Sequence, residues 1–308
     1  MDRLIRIGSR DSSLALWQAK FIEKLLNEQG IKTEIILVKS EGDINLTSPL
    51  YEMGVQGIFT KTLDSALLSN KIDIAVHSLK DVPTQLPVNL KIAAIPKRAN
   101  VKDVLVYQDS SFIVTEKAGI TIATSSLRRK AQWLNKYPNH AIESIRGNIN
   151  TRLEKLKSTL NWNAALFAAA GIDRIGLDVP NKTELDWMLP APAQGALGIV
   201  CREDDPQAEA ICKTLNHHET AVCTGIERSF LRNLKGGCSI PIAALAIADK
   251  NNIHFKGNIL SLDGIRKVEI EMDFELDNFD NAGKSAALKL LAAGGDVIAR
   301  ELKSYMTE

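Results

Sequence analysis

The stretch from Leu4 to Val38, LIRIGSRDSSLALWQAKFIEKLLNEQGIKTEIILV, decides the fold class. Residues 4–8 read as a short strand. Residues 12–29 carry Leu14, Trp17, Phe21, Leu25 and Leu26 at helical spacing, and Gly30 stops them. Thr33–Val38 reads as a second strand. Strand, helix, strand is the unit of an open, mostly parallel sheet covered by helices. Working outward, a helix is expected at Phe59–Leu68 and a buried strand at Ile72–Val76. A strand leading to a crossing point follows over Leu86–Asn100, which contains Pro87, Pro96 and Arg98. A second α/β series opens near Val101, with strands at 104–107, 120–124, 141–145 and 164–168 and helices at 126–136 and 148–159. Past Pro190-Ala191-Pro192, a strand at 196–201 and a helix at 205–215 return to the first unit. From 217 the pattern changes to a helix ending at Leu234, a break at Gly236-Gly237, three alternating strands (242–248, 253–260, 266–273) and a helix at 281–303. That is an α+β module. The expected domains are 1–98 plus 196–216, 99–195, and 217–308.

The chain has 308 residues, enough for two or three domains. Hydrophobic residues make up 45% and charged residues 24%, an ordinary globular balance. A formal net charge of +1 gives no global field toward nucleic acid or a membrane, so any anion site must come from local clusters. The cysteines Cys201, Cys212, Cys223 and Cys238 include no CxxC pair, which argues against a structural zinc or a redox dithiol. The N-terminal residues lack an apolar signal core and no 18-residue apolar run occurs, so a reducing cytoplasm is expected. Neither a Walker loop nor a GxGxxG fingerprint is present, and no metal is expected.

Ligands in open α/β sheets bind beyond the carboxyl ends of the strands, beside helix N-termini. Those positions are basic and polar. The first strand ends in Gly8-Ser9-Arg10-Asp11-Ser12. The strand at 120–124 runs into Thr124-Ser125-Ser126-Leu127-Arg128-Arg129. The strand at 141–145 runs into Arg146-Gly147-Asn148, with Arg152 a turn later, and the strand at 164–168 leads to Arg174. Ser12, Ser126 and Asn148 are good N-cap types. Helix N–H groups and guanidinium forks attract carboxylate or phosphate, so a polyanion is expected. One such arginine could be a solvated helix face; recurrence after four strands favours a shared site.

His77-Ser78-Leu79-Lys80-Asp81-Val82-Pro83 follows a strand at the same sheet end. Pro83 stops regular structure and leaves Asp81 on a loop. A carboxylate there can accept from N–H donors and stabilise a developing cation; the plain alternative is a turn aspartate. His77 reads as a satisfied strand-end histidine. Gly236-Gly237-Cys238-Ser239-Ile240-Pro241 places a thiol on an unhindered loop. The other three cysteines lie within strand or helix patterns and read as small buried hydrophobes.

Taken together and in order, Gly8–Ala19, His77–Pro83, Thr124–Arg129, Ile145–Leu153, Ala193-Gln194-Gly195-Ala196 and Gly236–Pro241 resemble the porphobilinogen deaminases. The resemblance runs from about residue 4 to the end and is weakest after 245. It implies two lobes like type II periplasmic binding proteins with a cleft between them, plus a small C-terminal domain. It implies a monomer whose substrate is porphobilinogen, four molecules of which condense head to tail with loss of ammonia to give hydroxymethylbilane. It implies a dipyrromethane cofactor covalently attached through Cys238, with Lys80, Asp81, Thr124, Ser125, Ser126, Arg128, Arg129, Arg146 and Gly147 around it. Substrate contacts fall to Arg10, Ser12, Phe59, Arg146, Arg152, Arg174 and Gln194, and the catalytic carboxylate to Asp81. Asp43 lies in a family-like context. The chain departs from the family at Gln56 for a lysine, Thr62 for a glutamate and Ala193 for a glycine, and 44–58 is expected to be a loop over the cleft.

Two other readings compete. A non-catalytic two-lobe binding protein for a small polycarboxylate leaves Cys238 without a task. A thiol enzyme needs His77, His217, His218 or His254 beside the sulfur.

Overall fold

A computed structural model of the chain describes residues 3–38, 60–235, 240–275 and 279–307. Phe59, Asp43, Gln56, the 44–58 segment and Cys238 lie outside the described residues. The chain opens with β1 (Ile5–Ser9), α1 (Ser13–Asn27), β2 (Thr33–Leu37), α2 (Lys61–Leu68) and β3 (Ile74–Ser78). A 3₁₀ turn, Leu79–Asp81, leads to β4 (Leu90–Ala94). The second series is β5 (Asp103–Tyr107), β6 (Thr121–Ala123), α3 (Leu127–Lys136), β7 (Ala141–Glu143), α4 (Ile149–Ser158), β8 (Ala164–Ala168), α5 (Ala169–Arg174) and β9 (Lys182–Glu184). Then come β10 (Leu197–Arg202), α6 (Pro206–Lys213), α7 (His218–Asn233), β11 (Ile242–Asp249), β12 (Asn252–Leu260), β13 (Lys267–Glu275), α8 (Ala282–Leu290) and α9 (Asp296–Thr307).

The strands form three sheets, ordered β2-β1-β3-β10-β4, β7-β6-β8-β5-β9 and β11-β12-β13. The first two sheets are mixed in the same way. In each, the fourth strand runs against the other four: β10 is antiparallel to β3 and β4, and β5 to β8 and β9. Both reversed strands are the first strand after the chain crosses between lobes. Leu197 opens β10 opposite Ser78, the last residue of β3, and Asp103 opens β5 opposite Ala168, the last residue of β8. The crossing chain thus enters each lobe at the carboxyl end of its parallel strands and must run back down. The expectation of mostly parallel sheets holds for four strands in five.

Both faces of these sheets are covered, which explains their near-continuous apolar strands. In lobe 1, Ile5, Ile7, Ile74, Val76 and Ile199 pack with Ile22, Leu26 and Ile211 of α1 and α6; on the other face, Ala75, Leu90 and Val200 pack with Leu63 and Leu67 of α2. In lobe 2, Val104, Val106 and Phe167 face Leu156 and Ile172, while Leu105, Ile122 and Leu166 face Trp133 of α3.

The buried face of α1 differs from the one read in sequence. It presents Ala15, Gln18, Ala19, Ile22 and Leu26 to its sheet. The larger side chains form a second stripe: Leu14 packs on the lobe 2 core, and Trp17 stacks on Phe21 at 5.3 Å. Phe21 and Leu25 of this stripe edge the lobe 1 core, while Leu14 and Trp17 face lobe 2, where α1 meets α5.

The C-terminal domain packs α7, α8 and α9 on one face of its antiparallel sheet, around Phe230, Ile242, Phe255 and Leu290. The single helix expected at 281–303 is two, parted by a wide turn at Leu291–Gly295. Among the described residues, no helix is long and apolar enough to cross a membrane.

Candidate active site

The turn after β3 orients the lobe 1 side. Leu79 and Val82 are buried with Ile95, Ala193 and Ala196. They are three residues apart, so in a 3₁₀ turn they lie on one face. Lys80 and Asp81 between them are left half-buried, facing away from that cluster. Leu79 N donates to Ala196 O at 3.0 Å, which ties the turn to the returning chain. Asp81 lines a pocket with Arg10, Gln18, Thr60, His77 and Ser78. Gln18 Nε2 donates to Ser78 Oγ at 2.8 Å. Gln18 and Ser78 have no role assigned from sequence although both lie in the quoted motifs; the available signal was a polar residue on the otherwise apolar sheet-facing side of α1.

His77 is buried and its Nε2 has no hydrogen-bond partner among the described residues. Burial, aided by the charge of Arg10, pushes its pKa down to about 4, so the ring is neutral near pH 7. The expected satisfied histidine is therefore unsatisfied, with its polar edge in the pocket wall.

In lobe 2, Ser126 caps α3, accepting from Arg129 N, and Asn148 caps α4, accepting from Thr151 N at 2.9 Å. Gly147 is required: its φ is +112°, and a Cβ there would come within 2.8 Å of Thr151 Cβ. Thr124 N donates to Glu143 O, and Ser125 Oγ donates to Ile145 O at 2.6 Å, so these residues brace the loops. Ser12 caps α1 in the same way, accepting from Ala15 N.

Arg128 and Arg129 are buried and anchored. Arg128 Nη1 donates to Asp103 Oδ2 at 2.7 Å and Leu189 O at 2.8 Å; Arg129 donates to Asp103 Oδ1 and, at 2.9 Å, to Leu166 O. Asp103, fully buried, was not singled out in sequence. Burial alone would raise its pKa, but the two guanidiniums win and hold it well below the usual carboxylate range. Gln194, expected at the substrate, is also fully buried. Its Nε2 donates to Val101 O and Asp103 Oδ1, and its Oε1 accepts from Lys80 Nζ at 3.3 Å. Its side chain links Lys80 to Asp103.

Among the described residues, Arg146 Nη1, Arg152 Nε and Asn150 Oδ1 are buried polar atoms without a hydrogen-bond partner. Arg152 lies over the ring of Phe167, 5.1 Å from its centroid. Arg174 donates to Gly195 O at 2.6 Å and lies over Trp17 at 5.7 Å, which places it at the crossover.

The charges meet across the cleft. Lys80 feels Asp81, Arg129, Asp103 and Arg128, and Arg152 feels Arg129 and Asp81. Among the described residues, four cations thus face two carboxylates. Desolvation pushes Lys80 down to about 8, and Arg152 and Arg174 down to about 10. Buried cations in excess of their counter-ions are costly unless an anion completes them. The unpartnered guanidinium atoms therefore fit a polycarboxylate.

Comparison with known proteins agrees. Residues 5–210 match the family model "Porphobilinogen deaminase, dipyromethane cofactor binding domain", and 221–292 match "Porphobilinogen deaminase, C-terminal domain". The porphobilinogen deaminase of Desulforamulus reducens is 40% identical over 99% of both chains. The probable porphobilinogen deaminase of Methanocaldococcus jannaschii is 42% identical over 93% of this chain and 99% of its own. The solved methionine-binding protein MetQ is similar over 69% of this chain and 88% of its own, with a TM-score of 0.44 and 14% identity. This chain belongs to the porphobilinogen deaminase family.

Proposed function

We infer that this chain is a hydroxymethylbilane synthase. It condenses four porphobilinogen molecules head to tail, releases four ammonia molecules and, with water, frees the linear tetrapyrrole hydroxymethylbilane. The observation that carries this reading is the cleft in which, among the described residues, four cations face two carboxylates while Arg146 Nη1 and Arg152 Nε have no hydrogen-bond partner. Each porphobilinogen brings an acetate and a propionate, so a growing chain gathers the negative charge that this surplus suits.

We assign the dipyrromethane cofactor to a thioether with Cys238, on the strength of the Gly236-Gly237-Cys238-Ser239 motif and the family match. Lys80, Arg146 and Arg152 would hold its carboxylates, with the α3 and α4 helix starts adding N–H donors. When bound, the dipyrromethane supplies the nucleophilic pyrrole carbon. The protein's residues do the rest. Arg10, Arg146 and Arg152 bind and orient substrate carboxylates. Asp81 is the catalytic residue: its carboxylate stabilises the positive charge that develops on the substrate pyrrole as ammonia leaves, and it can pass a proton at an Oδ atom. The half-buried setting of Asp81 strengthens that interaction relative to water. Arg128 and Arg129 act one step back, fixing the start of α3 and adding positive potential.

We assign lobe 1 to residues 1–98 with 196–216, lobe 2 to 99–195 and the third domain to 217–308. We place the protein in the cytoplasm. Cys201, Cys212 and Cys223 are buried free thiols, the first and last pushed up to about 11 by burial, which suits a reducing compartment.

Intact mass spectrometry tests the assignment. The expected result is an adduct of two deaminated porphobilinogen units mapped to Cys238. An active preparation with unmodified Cys238 would overturn it, and an unmodified, inactive preparation that still binds polycarboxylates would favour a non-catalytic binding protein.

A further inference from the structure

Arg228 stands on α7, in the C-terminal domain, beside the fully buried Glu227. Its guanidinium reaches lobe 1 and donates to one carbonyl of the turn that carries Asp81 and to the two carbonyls just after that turn. Nη1 donates to Leu79 O at 3.2 Å and Val82 O at 2.7 Å, and Nη2 donates to Pro83 O at 2.7 Å. A three-residue 3₁₀ turn leaves its last carbonyls without helical partners, and buried carbonyls require donors. The turn itself supplies one bond, Val82 N to Leu79 O at 3.2 Å. Arg228 supplies the others from another domain.

Glu227 extends the same connection. It accepts from Arg98 at 2.7 and 2.9 Å, from Ala193 N at 2.6 Å and from Ala246 N at 2.8 Å. Arg98 lies on the crossover out of lobe 1 and Ala193 on the return. Two successive residues of α7 therefore hold both crossovers and the Asp81 turn. The same helix ends at Asn233, five residues before Cys238 in sequence.

We propose that Arg228 is a positioning residue that fixes Asp81 relative to the C-terminal domain. The proposal rests on the reading of Asp81 as the carboxylate that acts on substrate. A guanidinium fork fixes direction as well as charge, which a lysine ammonium does not. Arg228 lines a cavity of about 360 Å³ with Ile92, Ala94 and Ile95, and that cavity shares no residue with the pocket Asp81 lines. Its effect must pass through the turn.

The experiment uses Arg228→Ala and Arg228→Lys in the full chain, with cofactor loading verified by intact mass. We expect full loading, a kcat lowered about 10- to 100-fold in the alanine variant, KM within about twofold, and only partial recovery in the lysine variant. Amide hydrogen exchange should quicken in peptides covering 79–83 and stay unchanged in β11–β13. Combined with Asp81→Asn, Arg228→Ala should lower turnover no further than Asp81→Asn alone, because one acts through the other. Normal kcat with unchanged exchange, or losses that multiply in the double variant, would overturn the proposal. If Arg228→Ala fails to fold, the kcat and exchange of Arg228→Lys decide it by the same signs. If Asp81→Asn turns over normally, the reading of Asp81 has failed, while the exchange result still reports whether Arg228 holds the turn.

Discussion

The two lobes share one strand pattern, with four parallel strands and a reversed fourth, yet they bring opposite chemistry to the cleft. Lobe 1 presents Asp81 with the neutral polar groups His77, Ser78 and Gln18 and with two cations, Arg10 and Lys80. Lobe 2 presents arginines: Arg128, Arg129, Arg146 and Arg152. Two aspartates show why this division matters. Asp103 sits in lobe 2 among the guanidiniums and is locked by Arg128 and Arg129. Asp81, on the other lobe, makes no salt bridge among the described residues. A carboxylate built into the arginine cluster becomes part of the scaffold; one held across a cleft stays available to a ligand.

The contrast breaks most visibly at Asp103. Asp103→Asn leaves two buried guanidiniums without their counter-ion, and we expect a loss of about 3–5 kcal/mol in urea unfolding together with poor cofactor loading. Unchanged stability would mean that Asp103 is no lock.

The lobe 1 side is sharpened by pH. His77 has a folded pKa of about 4 against 6.5 unfolded, so the unfolded chain takes up a proton that the folded one refuses. This group contributes nothing to the pH dependence above about 6.5. As pH falls from there to 4, stability should drop by up to about 3 kcal/mol. His77→Gln should remove that part of the acid limb in urea titrations at successive pH values, and an unaltered limb would place the acid sensitivity elsewhere.

A smaller effect is expected at Arg152, whose Nε has no partner. Arg152→Gln should raise KM about 10-fold, the loss of one charge-assisted contact. Ligand-free stability should hold or rise, because burial already disfavours the charge. A variant that binds normally but unfolds more easily would make Arg152 structural.

The fold was legible wherever burial imposes a period. β1, α1, β8 and the C-terminal strands lie within a residue or two of their expected ends. Strand direction was not legible, because alternation marks a strand without its sense; the reversal of β5 and β10 comes from where the chain crosses. β9 escaped because Lys182–Glu184 is wholly exposed and has no apolar face. At the site, residue types after strands picked out Arg146, Arg152 and Lys80 as candidate cleft groups. They did not reveal that Arg128, Arg129 and Gln194 are anchored inward, since the partner, Asp103, opens an apolar strand and carries no local signal. Ala193 was read as a small change from glycine. It sits at φ +62°, a strained value for alanine, with its side chain in the cluster of Leu79 and Val82.

The central claim is that the cleft cations, most of them on lobe 2, hold the polyanion while Asp81 of lobe 1 acts on it. The most direct test measures cofactor loading and turnover together in Asp81→Asn. We expect a folded protein with dipyrromethane on Cys238 and kcat lowered at least about 100-fold. A loaded Asp81→Asn enzyme with near-normal turnover would contradict the account.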